Sequence, residues 1–433
     1  MADVQPLQAI RYDTAVAGPL GDLTAPPYDV ISPEARAALL DRSPHNAVAI
    51  DLPAMDAQGR LRADPDQTPT DPYQTAGALF ANWQSTGVLA RDPAPALWAH
   101  TQEYTGPDGI ARTRRGFFCK VRIEDYGESR VRPHERTHPG PKEDRLRLMR
   151  ATKANLSPIF SLYSDPSHAA WDALAPTGEE PPDGRVTDAE GTVHRIWRVP
   201  DPETIAAVQE TLRPSELLIA DGHHRYETAQ TYAREIGGEN VDGPHRYVMM
   251  CLVALEDPGL TVFPTHRLIS GLTDLRRQAL TDAIARDFLT EEVPLDQLAP
   301  PPGEGPLQLG YIDGSLRPIR LTLRSQQIAD QALPNHSPAY RSLDTGVLEA
   351  LLLEGALDMT EHDIAELNGL WYARDAQDAI ESVRSGQREA AFLMRPTPVS
   401  QVRDVAAAGE NMPPKSTFFF PKLLTGLLFN PLV

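Results

Sequence analysis

The 433-residue sequence is short of cysteine, of basic charge and of long apolar runs, and each shortage removes a class of protein. Only Cys119 and Cys251 occur. Both sit in apolar settings (Gly-Phe-Phe-Cys-Lys-Val and Val-Met-Met-Cys-Leu-Val). Two such thiols build neither a disulfide framework nor a cysteine zinc site, and they read as buried strand residues. The longest clean apolar stretch, Val248 to Leu255, falls far below the ~20 residues that cross a bilayer. The opening MADVQPLQAIRYD lacks the apolar core of a signal peptide. A cytoplasmic protein with no membrane partner is therefore expected. Lys and Arg total 41 against 60 Asp and Glu, a net charge of −19. A surface of that sign repels phosphate backbones, so no nucleic-acid partner is expected. A GxxxxGK[ST] loop, a GxGxxG turn after a strand, a protein-kinase signature and a G-x-S-x-G elbow are all missing. Any nucleotide chemistry must use another cradle.

What is present is an ordinary globular balance, 41% apolar and 23% charged, which excludes a disordered tail protein. At about 150 residues per domain the length suits two or three domains. The 41 prolines are roughly twice the usual ~5%. They imply rigid loops and short elements and argue against a helical repeat. Loops or boundaries are expected at 63–72, 175–191 and 298–306, where Pro, Asp and Gly cluster. Periodicity predicts helices over 33–40, opened by Ser32, and over 73–84, 272–288, 348–355 and 376–385. Strands are predicted over 116–123, 217–220, 247–255, 307–311 and 389–394. That mixture points to an α/β or α+β fold. A division into 1–165, 190–295 and 305–433 is expected.

Four dense segments pack Pro, Gly and charge into what should be loops, where function tends to sit. They are Thr24 to Ser32 (TAPPYDVIS), Arg132 to Arg145 (RPHERTHPGPKEDR), Ile219 to Tyr232 (IADGHHRYETAQTY) and Met412 to Gly426 (MPPKSTFFFPKLLTG). In the third, an apolar strand turns at Asp221-Gly222 into a helix with Tyr226, Ala229, Tyr232, Ala233 and Ile236 on one stripe. A helix start offers unpaired N–H groups and partial positive charge, and His223, His224 and Arg225 add donors. That combination suits a phosphate or carboxylate. The plainer alternative makes Asp221 a helix cap beside solvated histidines.

In the second segment, His134-Glu135-Arg136-Thr137-His138 satisfies H-E-x-x-H, which binds zinc only on a helix. Pro139, Gly140 and Pro141 argue against a helix continuing there. Glu135, flanked by Arg132 and Arg136 and followed by Lys142 and Arg145, would stay ionised and could accept a proton from a hydroxyl. The cations could offset phosphoryl charge, and Asp144 could help hold magnesium. The alternative is a surface loop of solvated ion pairs. In the first segment, Ala25 to Val30 reads as a stiff extended run; Tyr28 could stack or donate, and Asp29 could orient an amine or a metal. A plain structural turn fits equally well. In the fourth, Phe418 to Phe420 read as core.

The turn Asp221-Gly222-His223-His224-Arg225-Tyr226-Glu227 resembles the nucleotide-binding signature of the ParB/sulfiredoxin-like superfamily. The free-serine kinases of that superfamily share the Asp-Gly-His-His-Arg turn, an upstream Pro-His-Glu and a C-terminal Pro-Lys-Thr-Thr-type segment. Here Pro133-His134-Glu135 and Pro414-Lys415-Ser416-Thr417 stand in the same order. This resemblance covers three motifs, and the gap from Glu135 to Asp221 is wider than a minimal ParB-type domain has. Over nearly its full length the chain also resembles a widespread bacterial family known as a domain of unknown function.

The resemblance implies a ParB/sulfiredoxin-like nucleotide-binding core with large additional α/β segments. It implies transfer of phosphate from ADP or ATP, with magnesium, to the hydroxyl of free L-serine or a similar amino acid. Phosphates would rest on Gly222, His223 and His224, with Arg225 as clamp and Lys415, Ser416 and Thr417 folded over them. Glu135 would be the base, and Asp221 would orient magnesium or the hydroxyl. Tyr28, Asp29, Arg132, His134, Arg136, Thr137, Lys142, Asp144 and Arg145 would surround substrate or phosphate. Two other readings remain: a ParB-like nucleotide switch without chemistry, and a metal-dependent hydrolase or phosphatase at His134, Glu135 and His138.

Overall fold

Apolar runs too short for helices become the strands of a large mixed sheet. The computed structural model describes residues 2–53, 71–126, 130–134, 139–175, 180–237, 242–303 and 305–433. It divides into two units: Met1–Arg132, Thr137–Leu260 and Pro421–Val433 form the first, Pro133–Arg136 and Thr261–Phe420 the second.

The first unit holds a nine-stranded sheet. Its strands are β1 (Val4–Gln5), β2 (Leu97–Thr105), β3 (Ala111–Arg122), β4 (Val131–Arg132), β5 (Ile159–Tyr163), β6 (Gly184–Thr187), β7 (Val193–Val199), β8 (Leu217–Asp221) and β9 (Tyr247–Ala254). They lie in the order β4-β8-β5-β9-β3-β2-β7-β6, with β1 also paired to β3. The β4–β8 and β5–β9 pairs are parallel and the others antiparallel, so the fold is mixed α/β. Almost every residue of β9 is buried, which is why its sequence shows no alternation. Cys119 on β3 and Cys251 on β9 are buried thiols, as expected.

Helices α1 (Pro72–Ser85), α2 (Pro139–Thr152), α3 (Pro202–Leu212) and α4 (His223–Gly237) accompany this sheet. Asp71 caps α1 by accepting from the Tyr73 amide, with proline in the first turn where no donor is lost. Helix α2 packs against both α1 and α4. Gly77 permits the first of these contacts, since a β-carbon there would lie 2.5 Å from the Ala151 carbonyl oxygen. Tyr226, Ala229 and Tyr232 of α4 join Phe117, Ile219 and Met250 in the main core.

Three expectations are corrected here. The segment 132–145 is not loop throughout, because Pro139 opens α2 and puts Lys142, Asp144 and Arg145 on a helix. Proline is tolerated in a first turn, whose amides have no intrahelical partner anyway. Ile236 leaves the apolar stripe and is 57% exposed. The segments 1–165 and 190–295 share one sheet, since β9 pairs with both β3 and β5, and residues 421–433 return to that same unit.

The second unit has a six-stranded sheet of β10 (His266–Ile269), β11 (Phe288–Glu292), β12 (Gln308–Asp313), β13 (Ile319–Leu323), β14 (Leu370–Ala373) and β15 (Ala390–Leu393). The order is β11-β13-β12-β15-β10-β14, antiparallel throughout. Helix α5 (Asp274–Asp287) falls within the expected 272–288, and α6 (Ala376–Arg384) packs Ala379, Ile380 and Val383 onto the sheet. Over 349–354 the expected α-helix is a π-helical turn. Phe418–Phe420 pairs with Thr261–Phe263, which places Phe419 and Phe420 in the interior. Among the described residues, no helix is long and apolar enough to cross a membrane.

Candidate functional site

The first unit gathers charge where β8 hands over to α4. Strand β8 ends on Asp221, Gly222 turns the chain at φ +98°, and α4 begins at His223. Only glycine suits that position, because the torsion is left-handed and Arg225 folds back over it. A β-carbon on Gly222 would meet Arg225 Nε at 3.0 Å. Arg225 Nη2 donates to Asp221 Oδ2 at 2.7 Å, and Nη1 donates to the Pro158 carbonyl. The other carboxylate oxygen, Asp221 Oδ1, accepts from Lys422 Nζ at 3.0 Å. Burial pushes the Asp221 carboxyl up, but Lys422 and Arg225 outweigh it and hold the group well below the usual carboxylate range.

A second set of contacts lies on α2. Arg145 donates from Nη1 to the Asp51 carbonyl at 2.6 Å and from Nε to Asp144 Oδ2 at 2.6 Å. Its guanidinium lies 4.0 Å from the centre of the Tyr28 ring. Asp51 Oδ2 accepts from Ser157 Oγ at 2.8 Å and Thr425 Oγ1 at 3.3 Å, while Asp144 Oδ1 accepts from the Tyr73 hydroxyl at 2.8 Å. Burial raises the Tyr28 phenol to about 12 against the pull of Arg145 and Arg225, so it is a neutral donor at ordinary pH. A cavity of about 40 Å³ joins the two sets, lined by Tyr28, Asp51, Arg145, Ser157, Arg225 and Thr228 among others.

Of the residues singled out in the sequence, Tyr28, Asp144, Arg145, Asp221, Gly222 and Arg225 therefore meet in one unit. Tyr28 and Asp29 lie on a short 3-10 turn, Tyr28–Val30, and not on an extended run, and the Asp29 charge supports Arg225. His223 is buried and His224 half-buried in the first turn of α4. Lys142 on α2 pairs with Glu227 on α4. Arg132 pairs with Glu216 at 3.1 Å on the β4 edge of the sheet.

The other described candidates, His134, Lys415, Ser416 and Thr417, belong to the second unit. His134 Nε2 lies 2.9 Å from Thr417 Oγ1, and the Met412 amide donates to the His134 carbonyl at 2.7 Å. Two motifs 283 residues apart thus share a hydrogen bond. Ser416 spends its hydroxyl inside the turn, bonded to the Pro413 carbonyl at 2.7 Å and to Thr345 Oγ1 at 2.9 Å. Lys415 is exposed, with a left-handed backbone at φ +58°. Glu135, Arg136, Thr137 and His138 lie outside the described residues.

A magnesium site would need carboxylate oxygens free to ligate the ion. Asp221 and Asp144 each have both oxygens engaged, and no cluster of three or more His, Cys, Asp or Glu suited to a metal occurs among the described residues. These carboxylates do not form a magnesium cage; the ion would have to arrive on phosphate oxygens.

Sequence reading missed Lys422, Asp51, Ser157 and Thr425. Lys422 follows Pro421 in a run already rich in punctuation, and Asp51 closes the apolar Val48-Ala49-Ile50. An acid that ends a buried run was the available signal.

No match is found among curated proteins. Among solved structures the chain is similar to a conserved hypothetical protein from Pyrococcus furiosus, at 13% identity over 69% of this chain and 92% of that one, TM-score 0.35. It is also similar to a free serine kinase in complex with AMP, at 13% identity over 67% and 83%, TM-score 0.35. A third is SbnI with a C-terminal truncation from Staphylococcus aureus, at 12% identity over 70% and 84%, TM-score 0.36. The family described as a protein of unknown function, DUF1015, matches residues 4–346, most of the sequence, and the chain belongs to that family.

Proposed function

We propose that this chain is a nucleotide-dependent small-molecule kinase that phosphorylates the hydroxyl of free L-serine or a similar amino acid, with ADP or ATP as donor. The observation that carries this reading is the convergence of Arg225 and Lys422 on one carboxylate at the start of α4. Two cations at a strand–glycine–helix junction suit phosphate oxygens, which can take over the charge-assisted bonds now made to Asp221. Phosphoryl transfer asks little more of a protein than positioning and neutralised charge. The Asp-Gly-His-His-Arg, Pro-His-Glu and Pro-Lys-Ser-Thr motifs support the same reading by resemblance, with β8 and α4 as a ParB/sulfiredoxin-like nucleotide core. In that scheme Glu135 accepts the proton of the attacking hydroxyl. The oxygen so freed bonds to the terminal phosphorus while the bridging oxygen leaves with the shortened nucleotide.

The test incubates the whole chain with ADP or ATP, magnesium and single amino acids, and reads phosphorylated product by mass spectrometry. Nucleotide at ~100 times its dissociation constant should also stabilise the fold by ~2.7 kcal/mol. Stabilisation without product would favour a nucleotide switch; neither effect would overturn the reading.

A further inference from the structure

The chain near Lys422 is held by an unusual brace. Gln102 on β2 and Arg114 on β3 are cross-strand partners. Arg114 is 1% exposed, and a guanidinium that deep needs its donors satisfied. Its Nε donates to Gln102 Oε1 at 2.9 Å, its Nη2 donates to the Pro421 carbonyl at 2.6 Å, and its plane lies 4.5 Å from the centre of the Phe160 ring. Gln102 Nε2 then donates to the Lys422 carbonyl at 3.1 Å. The main chain on both sides of the Lys422 α-carbon is thereby pinned to the middle of the sheet.

The product of that brace is one ammonium, set 3.0 Å from Asp221 Oδ1. Both side chains of the pair keep about a fifth of their surface open, 21% for Lys422 and 22% for Asp221, so a ligand can reach them. With Arg225 on the second oxygen, the group of three carries one net positive charge. A buried arginine is a costly way to support a plain surface ion pair, which contributes little.

We infer that Lys422 is a polyphosphate-binding residue, parked on Asp221 until ligand arrives, and that Gln102 and Arg114 are its positioning residues. The inference rests on reading the start of α4 as a phosphate cradle but not on phosphate transfer. On binding, the ammonium moves its hydrogen bond from Asp221 to a phosphate oxygen, and no covalent bond changes.

The experiment titrates the full-length chain with inorganic tripolyphosphate, and separately with ADP, by calorimetry. Lys422→Ala is expected to weaken tripolyphosphate binding about tenfold or more, and Lys422→Arg to recover part of it. Gln102→Leu is expected to weaken binding in the wild type but hardly at all in Lys422→Ala, a coupling that general loosening of the sheet would not give. Unchanged affinity in Lys422→Ala, additive losses in the double variant, or no tripolyphosphate binding by the wild type would each overturn the inference. Lys422-dependent binding without any phosphorylated amino acid would instead leave it standing and remove only the kinase.

Discussion

Asp51 and Arg145 form an ion pair almost closed to solvent, each side chain 6% exposed. The contact is strengthened because Arg145 also takes the Asp51 main-chain carbonyl, while Ser157 and Thr425 complete the carboxylate. Removing one member of such a pair strands the other without water. Asp51→Ala should therefore lower stability by about 3 kcal/mol or more, read from the urea midpoint. A loss below about 1 kcal/mol would show that Asp144 alone satisfies Arg145.

Gly222→Ala is expected to cost about 1–2 kcal/mol, since the left-handed torsion penalises any β-carbon. The new methyl also displaces the Arg225 guanidinium, so nucleotide affinity should fall alongside stability. Affinity unchanged in a destabilised variant would separate Arg225 from ligand binding.

His100 and His194 make stability depend on pH. Their rings stack at 5.7 Å within the first unit. Burial depresses the His100 pKa well below 6.5, and His194 and Arg114 add to it. Burial also depresses His194, with Asp188 at 3.0 Å opposing. A depressed histidine binds fewer protons folded than unfolded, so stability rises with pH across the interval between its two values. The contribution is complete above the unfolded value of about 6.5 and is lost as pH falls from there through the folded one. Denaturant midpoints taken from pH 8 down to pH 5 should fall, and His100→Phe should flatten the slope. A flat wild-type profile would contradict the neutral buried pair.

Glu135→Gln should abolish phosphate transfer while leaving nucleotide affinity within about threefold, because a base acts on the acceptor and not on the bound nucleotide. Equal turnover of variant and wild type would exclude Glu135 as the base.

Local chemistry was legible in the sequence. An apolar run, Gly222 and an amphipathic stretch announced β8, the turn and α4, as Ser32 announced the helix that it caps. Long-range pairing was not legible. Nothing near Lys422 names Asp221 as its partner, because that contact depends on strands more than a hundred residues away in β2 and β3 pinning the backbone. The sharing of one sheet by β5 and β9 was hidden for the same reason, since both are buried almost throughout and carry no record of their neighbours. Pro139 misled because a proline that stops one helix can equally start the next.

Residues 421–433 fasten the first unit at widely separated points of its sequence. Phe429 exchanges main-chain hydrogen bonds with Ile10, and Asn430 pairs with Asn155. Lys422 and Thr425 arrive in the same stretch. Ile10, Asp51, Asn155 and Asp221 each have a partner in that stretch, although they lie far apart in the sequence. Without residues 421–433 the Asp221 carboxylate would keep Arg225 but lose the Lys422 ammonium, and Asp51 would lose one of its hydroxyl donors.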